Sequence, residues 1–251
     1  MKPPDDIVTP DSFIRYLKES LRLDPAEIRL PRRGVIVFGS EDFETFRRAI
    51  RGKRASWSPS QCSGHAGRNR VFVGRSHIGG PAAALVAEEM AARGVRDYIT
   101  FGACGSLLPD LPIGSVVVPT FAYPDDGTSR HYGAPRRPRP NPALLAAIRA
   151  ACRARAIPCR EGGVWTTDAP YRESRTEAAA LAKQGIIAVE MEAAAVYAVA
   201  RYRGLRAASL MVVSDELAGE GWNPGFLNPA FRRAKRNAIR AVVDALSRPW
   251  P

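Results

Sequence analysis

The sequence contains few metal-binding side chains. Its 251 residues include four cysteines and three histidines. The cysteines form no C-x-x-C pair, and none is spaced with a histidine as zinc ligands are. They are Cys62, Cys104, Cys152 and Cys159. We therefore expect no metal site, and we expect free thiols in a reducing compartment.

Long apolar runs are also missing. The sequence has no stretch of 18 or more apolar residues, so neither a membrane-spanning segment nor a membrane partner is expected. The first six residues are polar, and no apolar segment with a cleavage site follows them, which is unlike a secretory signal. We expect a cytoplasmic location.

The charge balance is strongly basic. The formal net charge is +12 at pH 7, and the pI is about 10.1. Such a balance occurs in nucleic-acid-binding proteins, and it also attracts small anions. The arginines are scattered along the chain, however, and the densest group, at 136–139, lies between prolines. No basic run is interleaved with aromatics, so we expect a small anionic ligand and no nucleic acid.

Short apolar runs alternate with helical patterns from residue 34 onward. Strands are predicted at 34–39, 71–74, 98–102, 116–119, 185–189 and 207–213, and helices at 82–93, 141–152, 190–202 and 231–247. The strands are continuous apolar runs, which is typical of a mostly parallel sheet covered on both faces. We predict one three-layer α/β domain at 32–251, with a central twisted sheet flanked by helices, after an N-terminal arm at 1–31. Ligands bind such sheets at the carboxyl ends of the strands.

Three segments at predicted strand ends contain side chains suited to substrate binding or catalysis. Their sequences are ITFGACGSL at 99–107, AVEMEAAA at 188–195 and VVSD at 212–215. A carboxylate that accepts two hydrogen bonds suits a vicinal diol, but glutamates at a helix start also complement the helix dipole. Asp215 can likewise donate a proton to a leaving group or cap a helix. The residues alone leave these alternatives open.

The order and spacing of these segments resemble the nucleoside phosphorylase family, which includes bacterial purine nucleoside and uridine phosphorylases. The resemblance extends over about residues 34 to 245. It implies a phosphorylase/hydrolase-like fold, a nucleoside as the small-molecule partner, and a homo-oligomer, either a dimer or a hexamer. It also implies that Glu192 binds the ribose hydroxyls, that Met191 packs on the sugar, and that Asp215, oriented by Ser214, protonates the leaving base. Glu190 is counted with the sugar-binding residues.

Four more residues are candidates for contact with the nucleoside. Trp165 aligns with an aromatic side chain that stacks on the base in the family, although a core position is an equally good interpretation of a buried tryptophan. Cys104 and Gly105 form a turn near the base and the sugar, and His77 lies on a glycine loop near the sugar.

The resemblance also bears on the base. Uridine phosphorylases lack an aspartate at the place of Asp215, and they carry a Gln and an Arg after the segment aligned with 165–171. Here that stretch continues as TTDAPYRES, without the Gln-x-Arg pattern. Both points favour a purine as the base of the substrate nucleoside.

The phosphate-binding residues of the family are not reproduced. Family phosphorylases have an Arg at the position of Thr100, and their G-D-P-x-R loop is GSEDF here, at 39–43. The candidates for phosphate are therefore the Gly39 backbone and Thr100, with Arg48 and Arg172 as replacement guanidinium groups.

These observations predict a pentosyltransferase that cleaves the N-glycosidic bond of a purine nucleoside with phosphate. The products are the base and a pentose 1-phosphate, and phosphate is a co-substrate, so no cofactor is expected. One alternative is a hydrolytic nucleosidase of the same fold, which uses water. Another is a non-catalytic nucleoside-binding protein, but simple binding does not require a proton donor such as Asp215.

Overall fold

The computed structural model describes residues 6–250. The prediction made for the polar N-terminal segment therefore lies outside the described residues, except at Asp6. The helices are α1 Pro10–Ser20, α2 Pro25–Ile28, α3 Ser40–Ala49, α4 Gly80–Ala92, α5 Pro142–Ala154, α6 Arg175–Ala182, α7 Ala193–Arg203 and α8 Pro229–Ser247. The strands are β1 Arg33–Val37, β2 Lys53–Ala55, β3 Ser58–Ala66, β4 Asn69–Arg75, β5 Asp97–Ser106, β6 Val116–Asp125, β7 Cys159–Thr167, β8 Ile186–Glu190, β9 Arg206–Glu216 and β10 Asn223–Pro224.

Local sequence signals explain where several helices begin and end. Asn141 and Asn228 accept hydrogen bonds from the first-turn amides of α5 and α8, and each is followed by a proline at the first helical position. At the carboxyl end of α7, Gly204 adopts the left-handed conformation with φ of 65°. A side chain also caps the N-terminal helix α1. Thr9 is the cap, and Asp11 lies inside the first turn.

The strands form one ten-stranded sheet in the order β10-β9-β6-β7-β8-β5-β1-β4-β3-β2. An additional pairing joins β9 to β5, so that β5, β8, β7, β6 and β9 close on themselves as a small barrel. Long parallel pairings join β1 to β4 and to β5, β5 to β9, and β6 to β7. The strands β2 and β3 extend the sheet as an antiparallel edge. The predicted α/β fold with a central sheet is confirmed, but its closure was not predicted.

Helices cover the sheet on both faces. On one face, α3, α5 and α8 pack against alternate residues of the strands, such as Val35 and Phe101. On the other face, α4 and α7 pack against the intervening residues, such as Ile36 and Tyr98. Because side chains alternate along a strand, an uninterrupted apolar run serves both layers.

Two boundaries matter for the site. The predicted helix at 190–202 begins only at Ala193, and Glu190 is the last residue of β8. The predicted strand at 207–213 continues to Glu216, so it includes Asp215. The helix α1 packs against α4, and the division between an arm and a domain at residue 31 stays a prediction. Among residues 6–250, no helix combines the length and the apolar character needed to cross a membrane.

Candidate active site

A cavity of about 840 Å³ opens at the carboxyl ends of β1, β5 and β9. Its wall also includes the start of α3, the turn between β8 and α7, segments around residues 171 and 222, and one face of α8. The sequence candidates that line it are Gly39, Cys104, Gly105, Met191, Glu192, Ser214 and Asp215. Three segments that are far apart in the sequence therefore meet at one end of the sheet, as the strand pattern predicted.

Glu192 lies in the turn between β8 and α7 and is only 7% exposed. Its Oε1 accepts a hydrogen bond of 2.6 Å from the backbone N–H of Gly79. Gly79 has φ of 101°, a conformation that glycine adopts readily and other residues rarely do. Burial, together with the charge of Glu190, raises the pKa of Glu192 to about 8. Glu192 is thus a fixed carboxyl group on the cavity wall.

Glu190 has a different role from Glu192, although only one residue separates them. Its carboxylate accepts hydrogen bonds of 2.8 Å from the amides of Glu192 and Ala193, and the hydroxyl of Thr166 also donates to it. It does not line the cavity. Burial raises the pKa of Glu190 to about 7, while these donors oppose the shift. The structure thus places Glu190 as an internal anchor for the start of α7 and not on the cavity wall.

Asp215 lies at the carboxyl end of β9. Its Oδ1 accepts a hydrogen bond of 2.6 Å from Ser214 Oγ, and its Oδ2 accepts one of 2.9 Å from Trp222 Nε1. Gly105 faces it, and a Cβ at that position would come within 3.1 Å of Asp215 Oδ2 and 2.5 Å of a methyl carbon of Leu217. Glycine at 105 therefore leaves room for the carboxylate. A role as helix cap does not fit, because the next helix begins at Pro229 with its own cap, Asn228.

A further carboxyl group, Glu173, lines the same cavity. Burial, together with the charge of Asp215, raises the pKa of Glu173 to about 7. Cys104 contributes mainly backbone, since its carbonyl accepts a hydrogen bond from Ser214 Oγ at 3.2 Å. Burial raises the pKa of the Cys104 thiol well above its ordinary value. A protonated, enclosed thiol is a poor nucleophile, so the geometry does not support a reactive cysteine here.

Trp165 and Thr100 are not on the cavity wall. Trp165 is 1% exposed, packs in the core beside α6, and donates its ring N–H to Asp125 at 3.0 Å. The core interpretation therefore fits it better than base stacking. Thr100 Oγ1 lies 2.6 Å from Ser209 Oγ, which also accepts a hydrogen bond from Tyr197. The Thr100 side chain thus faces α7 and is unavailable to phosphate.

The remaining candidates also lie off the cavity wall. His77 is exposed, and its neighbours Ile78 and Gly79 supply the contacts that the glycine loop makes at the site. Arg48 lies one helical turn beyond Thr45, the last residue of α3 on the cavity wall, and Arg172 is exposed between two residues that line it. Of the four phosphate candidates, only Gly39 reaches the cavity.

The sequence reasoning missed several residues on the cavity wall. These are Glu173, Trp222 and three cations of α8, namely Arg232, Lys235 and Arg236. One signal for α8 was present, because these cations are spaced as neighbours on one helical face. Within the described part of the chain, no group of three or more His, Cys, Asp or Glu side chains is placed to hold a metal ion.

Fixed carboxyl groups and backbone turns that converge where the parallel strands β1, β5 and β9 end define an α/β enzyme with a site for a small polar molecule. A family model described as the phosphorylase superfamily matches residues 32–247. The chain belongs to this superfamily.

Individual relatives agree with this assignment. A guanosine phosphorylase of Halorubrum lacusprofundi is 34% identical over 172 residues, which are 68% of this chain and 71% of the relative. A DeoD-type purine nucleoside phosphorylase of Myxococcus xanthus is 36% identical over 163 residues, which are 62% of this chain and 66% of the relative. A protein of the same description from Bacillus cereus is 32% identical over 179 residues, 70% of this chain and 76% of the relative.

Proposed function

We propose that this protein cleaves the N-glycosidic bond of a purine nucleoside with inorganic phosphate. The observation that carries the proposal is the convergence of Glu192 and Asp215 on one cavity. The three relatives, a guanosine phosphorylase and two purine nucleoside phosphorylases, support the same reaction.

The proposed chemistry assigns one task to each group. Glu192 binds the ribose hydroxyls while Met191 packs on the sugar. A phosphate oxygen forms a bond to the anomeric carbon as the bond from that carbon to the base nitrogen breaks. The bonding electrons leave with the base, and Asp215 donates a proton to the base nitrogen N7. The products are a free purine and a pentose 1-phosphate.

Hydrolysis is the second candidate, because only one of the four phosphate residues named from the sequence reaches the cavity. The two reactions give different sugars. A panel of nucleosides incubated with and without phosphate, followed by identification of the sugar, tests the proposal. Phosphate-dependent formation of pentose 1-phosphate supports it. Free pentose, formed at a rate that phosphate does not change, contradicts it.

Purine nucleosides, including analogues with a 5′ substituent, are expected to be cleaved faster than uridine. The reason is that Asp215 can protonate a purine at N7, whereas a pyrimidine has no corresponding nitrogen. Side-by-side measurement of kcat/KM for guanosine, inosine, adenosine and uridine checks this. A clear preference for uridine would contradict the assignment of Asp215.

The Trp222→Phe variant is expected to act more slowly on purine nucleosides. It keeps an aromatic ring but removes the N–H that holds Asp215 Oδ2. Trp222 is 63% exposed, so the bond is worth about 0.5–1.5 kcal/mol, or about a two- to tenfold loss of kcat/KM. A 7-methylated purine nucleoside, which needs little protonation, is expected to lose less.

Trp250→Phe is the matched control for this variant. It removes an indole N–H that donates to the carbonyl of Ala245, and Trp250 does not line the cavity. Equal losses in the two variants, or equal losses on the two substrates, would show that Trp222 does not position the acid.

The proposal extends to a homo-oligomer in the cytoplasm. Leu85 of α4 and Tyr202 of α7 are exposed apolar side chains on two helices that pack together. Light scattering at micromolar concentration separates a monomer from the dimer or hexamer that the sequence resemblance implies.

A further inference from the structure

One face of α8 supplies three cations to the cavity. Arg232, Lys235 and Arg236 have the i, i+3, i+4 spacing that brings side chains together on one side of a helix. We infer that these side chains form the binding site for a phosphate dianion in this cavity. The inference rests on the proposed function, and it names residues that the sequence analysis did not select.

Two of the three cations have no partner within the described part of the chain. Neither the Arg232 nor the Arg236 guanidinium forms a hydrogen bond or an ion pair among residues 6–250, whereas the side chains of Arg149, Arg155 and Arg160 are each paired with a carboxylate. Guanidinium groups bind phosphate in a two-pronged geometry, which makes arginine well suited to this ligand. The helix thus presents two guanidinium groups that are free to bind an anion.

Lys235 places this cationic face next to Gly39. Its Nζ lies 2.7 Å from Asp42 Oδ1, and its side chain is only 15% exposed. Asp42 in turn is close to Gly39, since a Cβ built on that glycine would lie 3.1 Å from Asp42 Oδ2. Gly39 precedes α3, and no side chain caps the first turn of this helix. An anion held by α8 at this point also meets the amide end of α3.

The strand order separates this position from the acid. Phe101 of β5 is paired with Val37 of β1 and with Leu210 of β9, so β1 and β9 flank β5 on opposite sides. Two strand spacings amount to about 9–10 Å. Gly39 follows β1 and Asp215 lies near the end of β9, which leaves the space between them for the anomeric carbon of a bound nucleoside. A displacement needs its nucleophile and its leaving group on opposite sides of the reacting carbon. Phosphate beside Gly39 and the base beside Asp215 would occupy these two sides.

Lys235 and three of the carboxyl groups on the cavity wall already have partners. Asp42 is already paired with Lys235, and Asp215 accepts hydrogen bonds from Ser214 and Trp222. Glu192 is held by Gly79. The two arginines of α8 are therefore the cations in this cavity that remain for an incoming anion.

The test compares the double variant Arg232→Ala/Arg236→Ala with Arg233→Ala/Arg240→Ala. The control pair removes the same charge from the same helix, and its side chains are exposed without lining this cavity. With saturating nucleoside, the KM for inorganic phosphate is expected to rise about tenfold or more in the first variant. In the control it should stay within about twofold of the wild-type value. Calorimetric titration with inorganic phosphate should show the same contrast.

A charge-preserving variant, Arg232→Lys/Arg236→Lys, refines the test. It is expected to give a KM for phosphate between those of the wild type and the alanine variant, because lysine keeps the charge but loses the two-pronged geometry. Thermal unfolding of all variants shows whether the fold is retained. If the alanine variant were unstable, the lysine variant would carry the comparison.

Each outcome supports or overturns the inference. An unchanged KM for phosphate in the alanine variant overturns it, while a phosphorolytic wild type still upholds the proposed function. Selective loss of activity on nucleoside 5′-monophosphates with an unchanged KM for phosphate also overturns it, because the arginines then bind the 5′-phosphate of a substrate. A wild-type protein that releases free pentose independently of phosphate removes the proposed function itself, before any variant is made.

Discussion

Asp215→Asn is expected to slow the cleavage of natural purine nucleosides by about a hundred- to ten-thousand-fold, which is the usual contribution of a general acid. The loss should be much smaller for a nucleoside with a 7-methylated purine or for a nitrophenyl riboside. The 7-methylated base leaves without a net negative charge, and nitrophenolate is a stabilised anion, so both need little help from a proton. The measurement is kcat/KM of both proteins on both kinds of substrate.

The position of Asp215 supports this selectivity. It is held at the end of β9 by Ser214 and Trp222, next to Gly105, and it faces the cavity instead of capping a helix. Asparagine has nearly the same shape and keeps one accepting oxygen, but its amide cannot donate an acidic proton. A loss confined to substrates that need protonation therefore reports on the proton and not on the shape of the side chain.

Asp110→Asn is the control for this variant, because Asp110 forms an exposed ion pair with Arg160 and does not line the cavity. Its activity should match that of the wild type. Large and equal losses of Asp215→Asn on both substrates would indicate a role in binding or structure. Full activity on both would remove the general acid from the mechanism.

Five of the predicted site residues that line the cavity share one property. Gly39, Cys104, Met191, Ser214 and Asp215 all follow or end an apolar strand. Because β1, β5 and β9 run parallel and end at one edge, the chain positions of Gly39, Cys104, Ser214 and Asp215 already determine their neighbourhood. Met191 reaches the same place differently, because β8 runs antiparallel to β5 and pairs with its last residues. No knowledge of side-chain direction was needed for these residues.

The failures depend on side-chain direction or on distant packing. Glu190 and Glu192 differ in role because β8 ends at Glu190, a boundary that the alanine-rich segment does not reveal. Thr100 has a plausible chain position, but alternation along β5 turns its side chain toward Ser209. The cations of α8 are far from the motifs in sequence, and only tertiary packing brings them to the cavity.

Glu192→Gln is expected to lose most activity and to retain the fold. Glutamine keeps an oxygen to accept the hydrogen bond from Gly79, but it cannot ionise to become the charged acceptor that two ribose hydroxyls would stabilise on binding. The loss of charge-assisted hydrogen bonds costs on the order of 2–3 kcal/mol, or about a 30- to 150-fold lower kcat/KM. A near-normal kcat/KM would remove Glu192 from the sugar site.

The same substitution is expected to stabilise the protein at alkaline pH. Burial raises the pKa of Glu192 to about 8, above its ordinary value of 4.5, so the folded protein favours the neutral carboxyl group. The stability that this group contributes is complete below about pH 4.5, and it is lost as the pH rises through about 8. Glutamine never ionises. The variant should therefore unfold at a higher temperature than the wild type at pH 9 and at a similar temperature at pH 5.

The size of this effect separates a functional carboxylate from a structural one. A gain on the order of 2 kcal/mol at pH 9 corresponds to about 4–8 °C in a domain of this length. Glu177→Gln, at an exposed position of α6, controls for the general effect of removing a negative charge and should show no such gain. Lost activity without added alkaline stability would show that the ionised Glu192 carboxylate does not destabilise the ligand-free protein. Lost activity with added alkaline stability would mean that Glu192 destabilises the folded protein at alkaline pH and is needed for binding the ribose hydroxyls.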